Sequence, residues 1–323
     1  MTIREVFDQF VTALESNQMD LLSEILDTEV EIHSSALGEM KGIKQVKEML
    51  AWKGESLDYA KIRIFNNVIR QKGDFAGQSV FFVIILGKEM NGFMNHFQCA
   101  FLNAIEYTCK DGKWKIRKVK SNLTFECGNS MLVAKNWNLI DYSKFDGNDL
   151  KLIDTHKNSP WELVDDAEGL TEEEKVMQCF WKYNWIIDTD GFDYLTENLT
   201  DNLYVASVGQ KCKEDFEEWL REKRFKIVSY KGNKMPKEAC WNHISTFKAL
   251  EIHGNRATAE IYRYEPNRIG TRFIHKYNMN TIYYSLTWHM GFVKDVNGEW
   301  KMDSFDTTAG IVEEPNETDQ RYF

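Results

Sequence analysis

The chain has 323 residues, 43% of them hydrophobic and 13% aromatic, enough apolar surface to bury a large core and to divide into two domains rather than one. A formal charge of -10 argues against a surface built for nucleic-acid phosphates, which needs clustered cations. No apolar leader follows Met1 and no apolar run approaches the roughly 18 residues of a membrane span, so a soluble, cytoplasmic protein without membrane or nucleic-acid partners is expected.

In chain order, Ile3, Val6, Phe7, Phe10 and Leu14 recur at helical spacing and predict an opening amphipathic helix. A short second helix, a strand over Val30 to Ser34, and a third helix in GIKQVKEMLAW follow. Long runs of period-two alternation then begin, broken by Gly, Asn and Asp turns. The basic stretch KWKIRKVK, Lys113 to Lys120, belongs to one of these strands and reads as its solvated face. From Asp141 to Leu170 the periodicity is lost and Asp, Asn, Gly and Pro160 accumulate, the composition of a connecting arm.

The same plan then returns. Thr171 with Glu174 forms a capping box for a helix carrying Val176, Phe180, Tyr183 and Ile187. MDLLSEILDTEVEI (Met19 to Ile32) aligns with FDYLTENLTDNLYV (Phe192 to Val205), GDFAGQSVFF with GNRATAEIYR, and DGKWKIRKVKS with NGEWKMDSFDT. Three ordered matches imply a duplicated unit. The predicted fold is α+β: two tandem cone-shaped barrels, each with three helices on a strongly curved, mostly antiparallel sheet, docked as an intramolecular pseudo-dimer. The first barrel is assigned to 1–140, the arm to 141–170, the second barrel to 171–311 and a tail to 312–323.

Six cysteines without a CxxC pair fit reduced core thiols, and seven histidines without metal-ligand spacing give no metal site. His243, in CWNHIS, stands where a strand would accept an aliphatic residue equally well. Taken alone it reads as a strand histidine making one hydrogen bond.

The order of elements, with a GxWK-type hairpin closing each unit, resembles the nuclear-transport-factor-2-like superfamily, which includes the polyketide-cyclase (SnoaL) type, ketosteroid isomerase, and scytalone and bile-acid dehydratases. The second unit is most similar to the scytalone-dehydratase branch. That resemblance implies a catalytic pair of Asp188, in IIDTDGFDYL, and His243. It also puts His289 and Thr287 at the places of a pocket-facing Asn and Ser on the strand TIYYSLTWHMGFV. The polar face of that strand, Tyr283, Ser285, Thr287 and His289, is then expected to line the pocket, and its apolar face to meet the other unit. The dehydratase's tyrosine before the helix-end Asp is Ile187 here, so a phenol donor would come from elsewhere, with Tyr283 the candidate. In the first unit Glu15 and Ile62 occupy the places of Asp188 and His243, so the pair is missing there. Asn103 keeps the closing-strand Asn, and His33 stands near the base position of the isomerase type, within one residue of register. Asp188 has a second reading, a helix-end residue facing water beside an Asp190-Gly191 turn, and His289 a second reading as a solvated strand residue.

A histidine that titrates near neutrality can take a carbon-bound proton and return it to a leaving hydroxyl, with an aspartate fixing its tautomer. The expected function is a cofactor-independent lyase, a dehydratase, or an isomerase acting on a hydrophobic cyclic or polyketide-like molecule, with no cofactor required. The rivals are a non-catalytic small-molecule-binding module and a protein-interaction scaffold. The acidic tail GIVEEPNETDQRYF is read either as disordered or as a lid.

Overall fold

A computed structural model describes residues 1–54, 56–139, 152–206, 209–228, 243–266 and 283–313. The first unit opens with α1 (Ile3–Ser16), whose Thr2/Glu5 capping box and left-handed Asn17 (φ 55°) satisfy both helix ends. A 3-10 turn (Met19–Leu21) and α2 (Leu22–Ile25) lead into β1 (Leu26–Ser34), β2 (Gly38–Lys41) and α3 (Ile43–Leu50). The long meander follows as β3 (Tyr59–Lys72), β4 (Phe75–Met90), β5 (Phe93–Lys110) and β6 (Lys113–Gly128). The short hairpin partner β2 has too few residues to show an alternation of its own, so periodicity does not announce it.

The connecting arm contributes α4 (Pro160–Leu163), capped by Ser159 with proline at its start. The second unit then runs α5 (Glu172–Asp188), a 3-10 helix (Phe192–Asn198), β7 (Leu199–Val205), β8 (Gly209–Cys212), α6 (Lys213–Val228), β9 (Ile244–His253), β10 (Arg256–Pro266), β11 (Tyr283–Lys294) and β12 (Trp300–Glu313). The capping box expected at Thr171 and Glu174 is present.

The two six-stranded sheets share one topology, β2-β1-β6-β5-β4-β3 and β8-β7-β12-β11-β10-β9. In each, the first strand of the unit runs parallel to the last and every other pairing is antiparallel. The tandem α+β plan is therefore the plan of the molecule.

The opening helices differ in how they are covered. α1 buries one stripe, Ile3, Val6, Phe7, Phe10 and Ala13, against its own sheet. α5 is buried on two sides: Val176, Phe180, Tyr183 and Ile187 are joined inside by Gln178, Asn184 and Trp185. The second side meets the first unit and the arm. Arg70 of β3 donates to Gln178 Oε1 (2.9 Å) and to the carbonyls of Val164 (2.7 Å) and Asp165 (2.6 Å), while Trp185 Nε1 donates to Thr155 O (2.9 Å). α4 rests on β4 at Gly77, where an added Cβ would lie 3.3 Å from both Pro160 and Leu163. Outer-face residues of the first sheet, among them Phe81, Ala100 and Leu102, thereby join one buried cluster with Ile153, Trp161 and the core of the second unit.

No helix among the described residues is long and apolar enough to cross a membrane. The described cysteines Cys109, Cys179 and Cys212 are free thiols, and no cluster of metal-ligating side chains occurs among the described residues.

Candidate functional site

α5 ends in a left-handed turn: Asp190 has φ 65° and Gly191 N donates to Ile186 O (2.8 Å). The turn chemistry read from Asp190-Gly191 is thus real, and the last helical residue, Asp188, points inward; its side chain is 1% exposed. The backbone N–H of His243 donates to Asp188 Oδ2 (3.1 Å), and the imidazole Nδ1 hydrogen-bonds Asp188 Oδ1. The His243 side chain is 4% exposed and its ring lies 6.0 Å from that of Trp288. An aspartate that accepts at Nδ1 fixes the proton there, which makes Nε2 the basic nitrogen. The two residues that the resemblance brought together across 55 positions form one buried ion-pair geometry.

His243 stands one residue outside the sheet, since the β9–β10 ladder closes at Ile244 opposite Tyr264. Side chains hold it instead. Its carbonyl accepts from Asn184 Nδ2 of α5 (3.1 Å) and from Asn66 Nδ2 of β3 in the first unit (2.8 Å). Asn66 Oδ1 in turn accepts from Ser245 N (3.0 Å) and Ser245 Oγ (2.9 Å). Asn66, Asn184 and Ser245 belong to no motif that sequence reasoning picks out. The available signal is Asn66-Asn67 inside KIRIFNNVIRQK, a pair of turn residues interrupting strand alternation, which marks a bulge.

The first unit repeats this geometry with other side chains. Glu15 lies two residues before the left-handed Asn17, as Asp188 lies two before Asp190. Glu15 Oε1 accepts from Ile62 N (2.7 Å), the counterpart of the His243 N–H bond, so the position-for-position match of Glu15 with Asp188 and Ile62 with His243 is reproduced in three dimensions. The carboxylate faces a cavity of about 400 Å³ lined mainly by Phe10, Leu14, Ile32, Ile62, Phe82 and Phe101, with Asn103 and Ser121 as polar points. That size suits a small organic ligand. Two tryptophans also line it, meeting edge to face with centroids 6.1 Å apart, Trp52 after α3 and Trp137 after β6. Their segments are clipped together by Asn136, which accepts from Lys53 N (2.6 Å) and donates to Lys53 O (2.9 Å).

Other expected site residues are placed as follows. Asn103 lines the first cavity, 2% exposed, donating to Phe101 O (3.2 Å). His33 corrects the expectation for the first unit: Ile32 and Ser34 face the cavity, so the strand period turns His33 outward, where Nδ1 meets Glu39 (3.3 Å). His289 and Thr287 are corrected as well. Trp288, Met290 and Phe292 face α5, with Trp288 5.1 Å from Phe180, so alternation sends Thr287 and His289 to the opposite face of the sheet. His289 is 40% exposed there, its Nε2 3.1 Å from Thr308 Oγ1 and its Nδ1 3.9 Å from Glu260. The physical reason is that α5 needs an apolar surface to pack on, and the apolar face of β11 supplies it. Tyr283 opens β11, and its side chain lies outside the described residues, as does the tail from 314 onward.

Residues 2–120 match the family model of the SnoaL-like domain. A comparison with curated proteins gave no match. Similar solved structures include a nuclear-transport-factor-2-like protein with a cystatin-like fold from Novosphingobium aromaticivorans, at 17% identity over 38% of this chain and 79% of that one, with a TM-score of 0.32. A protein from Kribbella flavida is 14% identical over 40% of this chain and 93% of its own, with a TM-score of 0.36. A hexachlorocyclohexane dehydrochlorinase from Novosphingobium barchaimii is 15% identical over 39% and 86%, with a TM-score of 0.33. Likenesses of this size carry no argument about chemistry.

Proposed function

From a chain whose first unit is a SnoaL-like domain and whose second unit repeats its strand order, we propose a cofactor-independent lyase of the dehydratase kind, or an isomerase, worked by His243 and Asp188 on a hydrophobic cyclic or polyketide-like small molecule. The observation that carries this reading is the buried hydrogen bond of His243 Nδ1 to the Asp188 carboxylate. In this reading Nε2 takes a proton from the carbon beside a substrate carbonyl. Asp188 stabilises the imidazolium that results, and the imidazolium, in exchange with solvent, then delivers a proton to a departing hydroxyl, back to the carbon or to another carbon. Buried charge development is where a preformed carboxylate helps most.

The test does not require the natural substrate. A panel of hydrophobic β-hydroxy and cyclic ketones is incubated with the protein in deuterium oxide, and water loss and deuterium entry at the α-carbon are followed by NMR. His243→Gln is expected to lower the rate by roughly 10²–10⁴-fold, the usual worth of a positioned general base. Exchange that survives the substitution at full rate removes His243 from the chemistry.

A second reading applies to the first unit, because its cavity carries Ile62 where the pair would need a histidine. There the proposal is binding of a hydrophobic small molecule without turnover. Ile84→Phe, at the cavity wall, should abolish binding of such a ligand while leaving the chemistry of the second unit unchanged; titration calorimetry with the same panel decides it.

A further inference from the structure

Resting on the reading of His243 as the base, we infer that Asn66 of the first unit is a positioning residue for it, so that the second unit's site is completed by a side chain from the first. The geometry has three parts. His243 lies beyond the end of the β9–β10 ladder, and its peptide is held from both sides, N–H on Asp188 and C=O on the amides of Asn66 and Asn184. Asn66 acts as a surrogate strand: its amide donates to His243 O and accepts from Ser245 N, the two-bond exchange that a neighbouring backbone would make. Ser245 Oγ then ties the two asparagines together, accepting from Asn184 Nδ2 (3.0 Å) and donating to Asn66 Oδ1.

The local backbone is arranged for this contact. Asn66 has φ 49°, a left-handed conformation that costs a non-glycine residue energy and is tolerated best by Asn, Asp and Gly. It sits in a bulge, where the β3–β4 register shifts between Phe65 and Val68. The next residue is fastened within the first unit, Asn67 Oδ1 accepting from Gln78 Nε2 (2.6 Å), and Gln78 Oε1 accepts from the buried Tyr107 hydroxyl. The bulge thus re-aims one side chain across the unit boundary while its neighbour anchors it at home. With Asn66 only 7% exposed, the amide makes these bonds out of competition with water.

Asn66→Gly is the informative variant, because glycine keeps the positive φ and removes only the amide. Measured on the full chain, the turnover found in the deuterium assay should fall about 10- to 100-fold in kcat, with KM within about twofold, the signature of a misplaced catalytic group. Independently of any substrate, the ring-nitrogen ¹⁵N shifts of His243, assigned by their loss in His243→Gln, should move. Asn67→Gly perturbs the same bulge and serves as the control; it should lower the melting temperature yet leave both readouts in place. Asn66→Asp keeps the acceptor for Ser245 and the tolerance of positive φ but turns an oxygen toward His243 O in place of the donor, so its effect on both readouts is expected to be at least as large; it carries the test if the glycine variant does not fold. His243 ring shifts unchanged in the Asn66 variants, or equally changed in Asn67→Gly, overturn the proposal. Absence of turnover in the unsubstituted protein, with the ring shifts still dependent on Asn66, would instead count against the lyase reading alone.

Discussion

The two units share one backbone arrangement and divide its functions. Each carries a carboxylate in the last turn of its opening helix, two residues before a left-handed residue, and each lets that carboxylate accept the N–H of a residue in or just before a sheet strand. In the first, the strand residue is Ile62 and the carboxylate, paired with the half-exposed Lys61 (3.0 Å), borders a mainly apolar cavity; in the second it is His243, and the carboxylate closes a buried pair with the imidazole. The difference teaches that the carboxylate's backbone bond is part of the architecture, while the side chain one atom further along decides what the unit can do.

The largest expected effect that separates the units is on stability. Asp188→Ala removes one partner of a buried pair together with the acceptor of the His243 N–H, so a loss of about 3–5 kcal/mol is expected from urea unfolding. Glu15→Ala takes the acceptor from the Ile62 N–H and breaks a solvent-screened pair with Lys61; the Glu15 side chain is already 20% exposed, so about 1–2 kcal/mol is expected. Equal losses would break the comparison.

Next in size is a difference in acid response. His96, on β5 of the first unit, is 8% exposed, and burial pulls its pKa down to about 4 from 6.5. The folded state therefore holds it neutral while the unfolded chain takes up a proton. Its contribution is fully present above pH 6.5 and is lost as pH falls toward 4, at roughly 1.4 kcal/mol per unit and so up to about 3 kcal/mol. The slope of the urea midpoint between those pH values should flatten in His96→Gln. An unchanged slope would place the acid sensitivity elsewhere.

The smallest effect should be the same in both units. Thr2→Ala and Thr171→Ala each delete one capping box, for about 1 kcal/mol by thermal unfolding. A much larger cost at Thr171 would mean that α5 depends on its cap in a way α1 does not, and would sharpen the contrast in how the two helices are buried.

Much of this is legible in the residues. The duplicated order of helices and strands follows from hydrophobic periods and turn residues, and the Asp188–His243 pairing follows from their places in a recognisable plan. The facing of strands is harder to read. Alternation divides β11 into a Trp288 face and a His289 face, but which one looks inward is decided by α5, and the demand of its buried stripe for an apolar surface outweighs the appeal of a polar pocket lining. The same period of two decides His33, where a shift of one residue separates a cavity-facing side chain from one that meets Glu39 outside. Asn66 is recognisable as a bulge residue, yet its partner lies 177 positions away, and no local pattern carries that information.

The second covered side of α5 also sets an order of assembly. Its outward polar groups find their partners on β3, with Gln178 meeting Arg70 across 108 positions, and on the arm between the units. A ribosome delivers β3 and the rest of the first sheet well before α5 emerges, so the first unit can stand finished as a template when the helix arrives. Were the order reversed, as in a circular permutant that begins at the arm, α5 would be made with Gln178 facing water, and the newly made second unit would carry a sticky flank until its companion caught up.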